Sequence, residues 1–166
     1  MKQAIAGVVP RESAEVPVMT IWPSISAYES GRFLGRMYNW QAGIYIFRLG
    51  NLIALASIPH ALALYFYRIL PFLGTRYTLT NRRIVVQRGL TAVDDRFVNL
   101  DRFDRIEVKV RPGQEWFNAG DLVFSQGSTG TFRLEGVSRP EVFRQVCLKS
   151  REAYVGLAEI LDRQGS

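Results

Sequence analysis

The sequence predicts an α+β, mainly β chain: a membrane helix, then a small antiparallel barrel or sandwich capped by one C-terminal helix. Three observations predict it. Nineteen uncharged residues, LGNLIALASIPHALALYFY, run between Arg48 and Arg68. From Tyr77 the apolar period shortens to that of strands. After Ser138 it lengthens again to that of an amphipathic helix. The chain then divides into an irregular or interfacial segment (1–40), a membrane-embedded segment (41–74), a β-rich domain (76–161) and a short tail (162–166).

Length and composition bound the function classes. At 166 residues the chain holds one domain and an appendage, and 48% hydrophobic with 22% charged residues excludes wholesale disorder. The single cysteine, Cys147, excludes an intrachain disulfide framework, and the single histidine, His60, excludes a two-histidine metal site. The net charge is +6. Residues 1–75 carry six basic and three acidic groups, residues 76–88 four arginines and no acid, and residues 89–166 eleven basic and twelve acidic groups. Positive charge therefore concentrates beside the apolar run. A nucleic-acid domain spreads it over a binding face, so nucleic acid is not an expected partner.

The N-terminal stretch MKQAIAGVVPRESAEVP lacks the long apolar core of a signal peptide. Pro10, Pro17 and Pro23 point to extended or irregular backbone. In SAYESGRFLGRMYNW, helical spacing would put Phe33, Leu34, Met37, Tyr38 and Trp40 on one face and Arg32 and Arg36 on another. That suits the membrane interface, or equally a helix packed on the following domain, and Gly31 and Gly35 weaken the helix itself.

Nineteen helical residues span roughly 28 Å, close to the hydrocarbon thickness of a bilayer. Tyr65, Phe66 and Tyr67 stand at one end as interfacial anchors do. A single span kinked at Pro59 is the preferred topology; the alternative is a re-entrant hairpin with arms 41–57 and 60–74. His60 reads as a neutral histidine bonded to a backbone carbonyl rather than a proton relay, because the run holds no ionisable neighbour. Gly50/Ala54 and Ser57/Ala61 have the small-residue spacing that lets helices approach, so an oligomer formed through the membrane segment is one expectation.

Beyond the run, YTLT and RRIVVQRG flank Asn81 as a hairpin. DDRFVNLDRF and DRIEVKV supply further strands, the second alternating Ile106, Val108 and Val110 with charged residues. DLVFSQ and TFRLEG flank GSTG as a second hairpin. Ser138 and Glu141 have capping-box spacing around Pro140, and Val142, Phe143, Val146, Cys147, Tyr154, Leu157, Ile160 and Leu161 fall mainly on one helical face. Cys147 is then a core thiol.

The strings RYTLTNRRIVVQRG, IEVKV, NAGDLVF and GTFRLEGVSRPEVFRQV together resemble the bacterial pleckstrin-homology-like (PH-like) domain, over roughly Arg76–Ser150. The resemblance implies a seven-stranded, two-sheet fold with a capping helix, and a non-enzymatic interaction module. In other PH-like domains, basic residues on the first strands bind phosphoinositides; this sequence offers Arg82 and Arg83 in its hairpin and no lysine-rich loop.

No nucleotide-binding, hydrolase or metalloprotease motif occurs, so no catalytic residue, cofactor or metal is expected. The carboxylates Asp94, Asp95, Asp101, Asp104 and Glu107 alternate with arginines and read as ion-paired strand faces. Arg76, Arg82, Arg83 and Arg88 are the candidate contacts for anionic lipid headgroups. Trp116 and Phe117, in RPGQEWFNAGD, are the candidate contacts for an unidentified protein partner; they could instead anchor in the membrane, or close one end of the domain. The expected setting is a bacterial inner membrane with the domain on its cytoplasmic side. The function expected is docking of a protein or anionic lipids; the alternative is an accessory subunit of a larger membrane complex.

Overall fold

In a computed structural model, residues 15–40, 49–69, 74–89, 91–127 and 129–164 are described. The expectations for residues 1–14, and for the 41–48 and 70–73 parts of the membrane segment, lie outside them. Seven strands form two antiparallel sheets. The first holds β1 (Pro17–Ile21), β2 (Thr75–Thr80), β3 (Arg83–Arg88) and β4 (Val93–Asn99) in that order, and the second β5 (Arg105–Lys109), β6 (Ala119–Gln126) and β7 (Thr129–Ser138). Neither sheet closes on itself, which decides between the two expected architectures in favour of the sandwich.

The period-two pattern places the core. Tyr77 and Leu79 of β2 and Ile84 and Val86 of β3 face Ile106 of β5, Leu122 and Phe124 of β6 and Leu134 of β7. Phe103 meets Phe124 edge to face, ring centroids 5.0 Å apart. The C-terminal helix α4 (Pro140–Gln164) closes one side with Phe143 and Cys147, both buried. Burial pushes the Cys147 thiol up to about 12, so it is a packed, unreactive group. Two arginines of α4 also serve β5, an edge strand: Arg144 donates to the Ile106 carbonyl at 2.9 Å and Arg151 to the Phe103 carbonyl, just ahead of β5, at 2.6 Å.

Three details differ from the sequence expectation. The segment 1–40 is not merely irregular or interfacial, because its residues 17–21 form β1, paired with β2 from Pro17↔Thr80 to Ile21↔Tyr77. Pro17 opens the strand at the sheet edge, where its missing N–H removes no ladder bond, and Pro23 follows its end. Asn81, a turn residue able to take left-handed dihedrals, keeps negative φ; its side chain instead accepts from the Val16 N–H at 3.0 Å, fastening β1 to the hairpin. The capping-box spacing is off by one: α4 begins at Pro140, so Arg139, at φ 49°, precedes it in place of Ser138.

The helices ahead of β2 hang on the sandwich. α1 (Glu29–Tyr38) packs on the 111–118 loop, and Gly35 and Gly113 are what permit it. A Cβ on Gly35 would overlap the Gly113 carbonyl oxygen, and one on Gly113 the Arg32 carbonyl oxygen. The cost of glycine in a helix is therefore offset by a backbone approach no other residue allows. The apolar run is two helices, α2 (Leu49–Ala56) and α3 (Ile58–Ile69), bent by 53° at Ser57. No single helix among the described residues is long and apolar enough to cross a membrane; the bent pair together has the length and composition of a broken span or a re-entrant loop, the two arrangements expected from the sequence. The bend falls at Ser57, whose hydroxyl turns to the Ala54 carbonyl at 3.1 Å and to the Tyr38 hydroxyl of α1.

Candidate functional site

The strand register disperses the four candidate arginines. Thr75 pairs with Arg88 and Arg76 with Gln87, so Arg76 and Arg88 lie at the end of the β2–β3 hairpin that follows α3. Arg82 and Arg83 lie at its tip, roughly 16–20 Å away at the usual rise per strand residue. Each has protein neighbours. Arg88 pairs with Asp95 at 3.1 Å, and Arg76 donates to the Gln87 side-chain Oε1 at 3.0 Å. Arg83 reaches Glu15 at 2.8 Å and Asp94 at 3.4 Å, with its guanidinium over the Phe97 ring.

Arg76 and Arg83 share the outward face of the four-stranded sheet with a polar network that crosses it. Thr20 bonds Thr78 at 3.3 Å, Thr78 donates to the Gln87 side-chain Oε1 at 3.1 Å, and the Gln87 Nε2 donates to Asp94 at 3.0 Å. Thr80 donates to Glu15 at 2.8 Å. These groups line an open concavity of about 410 Å³. The Arg83 hydrogen bond outweighs partial burial and holds the Glu15 carboxyl below its ordinary range. Ion pairing of Asp94 and Asp95 was legible, but from the interleaved Arg96, Arg102 and Arg105; the pairs found are with Arg83 and Arg88 of the neighbouring strand. The threonines and Gln87 were not singled out, although polar residues at 76, 78, 80, 83 and 87 carry the period of one strand face.

A second carboxylate lies on the other sheet. Asp121 is 1% exposed, and accepts from Gln114 at 2.8 Å, the Gly136 N–H at 2.8 Å, Arg133 at 2.5 Å and Arg111 at 2.8 Å. Burial alone would raise its pKa, but these hydrogen bonds and charges prevail and hold it low. Asp121 is the acid of the AGDLV string, so that motif marks a structural node joining β6, β7 and the 111–118 loop. Beside it, Tyr77 donates to the Glu135 carbonyl at 2.9 Å, and burial pushes its phenol above the ordinary range.

Trp116 and Phe117 form a 3-10 turn (Glu115–Phe117), and both meet Tyr38 of α1 edge to face, at 5.5 and 6.3 Å between centroids. Trp116 stays half-exposed. The small residues of the helix pair turn to α1 too: Gly50 donates to the Trp40 carbonyl at 3.2 Å, and Ser57 meets Tyr38. Leu52, Leu55, Ile58, Leu62, Tyr65 and Phe66 remain exposed. His60 is exposed on α3. Among the described residues no group of histidine, cysteine and carboxylate side chains is placed to hold a metal ion.

An open two-sheet sandwich with a C-terminal helix defines an α+β protein of PH-like fold. The family model of the bacterial PH domain matches residues 31–151, from α1 into α4, and the chain belongs to that family. The match begins well upstream of Arg76, so the helices before β2 are part of the family's pattern. It is a non-catalytic, interaction-type family. Comparison with curated proteins and with solved structures gives no match.

Proposed function

We propose that the protein is a membrane-anchored interaction module. The helix pair α2–α3 enters the bilayer, and the sandwich presents the outward face of its four-stranded sheet to a partner on the cytoplasmic side of a bacterial inner membrane. One observation carries this reading. From Leu49 to Phe66 the pair holds no charge, and large apolar side chains on both helices stand exposed. Water-soluble monomers rarely leave so long an apolar surface bare. Two short helices bent at Ser57 suit an embedded or re-entrant arrangement in which Tyr38 meets the bend.

The docking face favours a polar protein surface over lipid alone. An anion arriving at Arg83 competes with Glu15 and Asp94, and one arriving at Arg88 with Asp95. A partner offering both donors and acceptors can engage the threonines and Gln87 without displacing those carboxylates. Arg76 and Arg88, near the exit of α3, supply the positive-inside signal.

The test is fractionation and vesicle flotation of the full-length chain. The wild type is expected to stay with membranes after alkaline washing and to float with vesicles. Leu55→Glu with Leu62→Glu, at about 2.5–3.5 kcal/mol for each charge at mid-bilayer, is expected to release it. A wild type that remains monodisperse in the aqueous fraction would overturn the reading.

A further inference from the structure

All three tryptophans of the chain, Trp22, Trp40 and Trp116, are about half exposed, at 48%, 56% and 48%. Tryptophan is usually well buried in a folded domain, and half-exposed tryptophan is the signature residue of membrane–water interfaces. The three are far apart in sequence, yet each is joined to the part of the fold that carries the helix pair. Trp40 follows α1, and its carbonyl accepts from Gly50 at the start of α2. Trp116 packs on Tyr38, whose hydroxyl meets the bend at Ser57. Trp22 precedes the 3-10 turn Ile25–Ala27, which touches both α1 and α3. Phe33, on α1, is a fourth exposed aromatic, with the Arg36 guanidinium 5.9 Å from its ring centroid.

Beside Phe33 lies a shallow cleft of about 340 Å³ lined by Glu29, Arg32, Arg36, Arg111 and Pro112. Glu29 lies 3.7 Å from Arg32, and Arg111 reaches Asp121 at 2.8 Å and Glu135 at 3.2 Å, so the positive charge the cleft offers rests chiefly on Arg36. It exists because Gly35 and Gly113 let α1 and the 111–118 loop meet backbone to backbone. We infer that α1 and the 115–117 turn form a seating surface on the bilayer. The three tryptophans and Phe33 lie in the headgroup zone, and the phosphodiester of an anionic phospholipid sits in the arginine cleft.

This inference rests on the membrane-anchored reading above and adds an orientation to it. The sandwich rests on its α1 side, continuous with the embedded helices. Guanidinium–phosphate pairing gives the surface its charge complementarity, and tryptophan suits the headgroup region because its indole N–H is polar and its body apolar. The device is that of an interfacial amphipathic helix, held here by a folded domain.

The experiment uses the full-length chain reconstituted into vesicles of phosphatidylcholine, with or without phosphatidylglycerol, carrying lipids brominated either near the headgroup or near the chain ends. Variants keep one tryptophan and replace the other two by phenylalanine. Each tryptophan is expected to be quenched more strongly by the shallow bromines than by the deep ones. Phosphatidylglycerol is expected to increase that quenching, and both Arg36→Gln and added salt to remove the increase. Tryptophans that no brominated lipid quenches, in protein that still floats with the vesicles, would overturn the seating surface and leave the anchor standing. Failure of the wild type to float would overturn both. Shallow quenching that ignores phosphatidylglycerol and Arg36→Gln would overturn the phosphate cleft.

Discussion

The two arginine–carboxylate clusters use the same chemistry for different ends. Around Asp121 two arginines, Gln114 and a backbone N–H converge on one buried carboxylate, Arg111 and Gln114 from the 111–118 loop and Arg133 and Gly136 from β7. Around Arg83, one guanidinium divides itself between Glu15 and Asp94 on a face open to water. Burial decides what each is worth. Removing a buried carboxylate strands the buried donors that converge on it, whereas an exposed pair exchanges easily with solvent. The first cluster therefore builds the domain and the second is available for exchange with a partner.

The comparison breaks first at Asp121. Asp121→Ala is expected to cost about 2–3 kcal/mol, because it leaves the fully buried Gln114 amide and the Gly136 N–H without their acceptor, while Arg111 and Arg133, partly exposed, can turn to water. Denaturant unfolding of the full chain in detergent measures it, and a cost below about 1 kcal/mol, in the range of an exposed pair, would erase the distinction. Gly136→Ala tests the same node from its backbone. Gly136 sits at φ 60°, its N–H serves Asp121, and a Cβ there would overlap Ala27. A loss of about 1–3 kcal/mol is expected from the overpacking, read from the same unfolding curves.

Acid sharpens the contrast. The folded-state pKa of Asp121 lies below its unfolded value, so its contribution is complete above the ordinary carboxylate range of about 4. That contribution is lost as pH falls from there through the folded-state value. Wild-type stability is expected to drop more steeply over this window than that of Asp121→Asn, as thermal melts at successive pH values would show. On the exposed face the effects shrink. Glu15→Gln is expected to cost about 1 kcal/mol or less, while vesicle co-sedimentation tells whether unpairing Arg83 raises affinity for anionic lipid. Smallest of all, Cys147 is expected to resist thiol reagents until the chain unfolds.

The period change at Tyr77 and the turn residues placed β2 to β7 and α4, because those elements bury one face and advertise it by spacing. β1 escaped notice, since Pro17 and Pro23 are read as breakers unless the strand is known to be an edge. A break beside Pro59 was legible, and the helix pair bends by 53° at Ser57, two residues ahead of it. Pro59 has no N–H to return to the Leu55 carbonyl; the Ser57 hydroxyl bond to the Ala54 carbonyl is the part no local pattern encodes. For the candidate site, the arginines and their acidic neighbours were legible one by one. Register was not, and register puts Arg82 and Arg83 at the opposite end of the hairpin from Arg76 and Arg88. The role of Trp116 and Phe117 against Tyr38 depends on a contact across 78 residues or more of chain, which no local pattern encodes.

Spin-label accessibility in proteoliposomes tests most directly whether the helix pair lies in the bilayer while the sandwich stays in water. One label replaces Leu55 on α2, and another replaces Gln126 at the turn that ends β6, with the buried Cys147 left in place. The expected result is a Leu55 label reached by oxygen and shielded from a water-soluble nickel chelate, and a Gln126 label with the reverse pattern. A Leu55 label as open to the nickel chelate as the Gln126 label would contradict the membrane anchor.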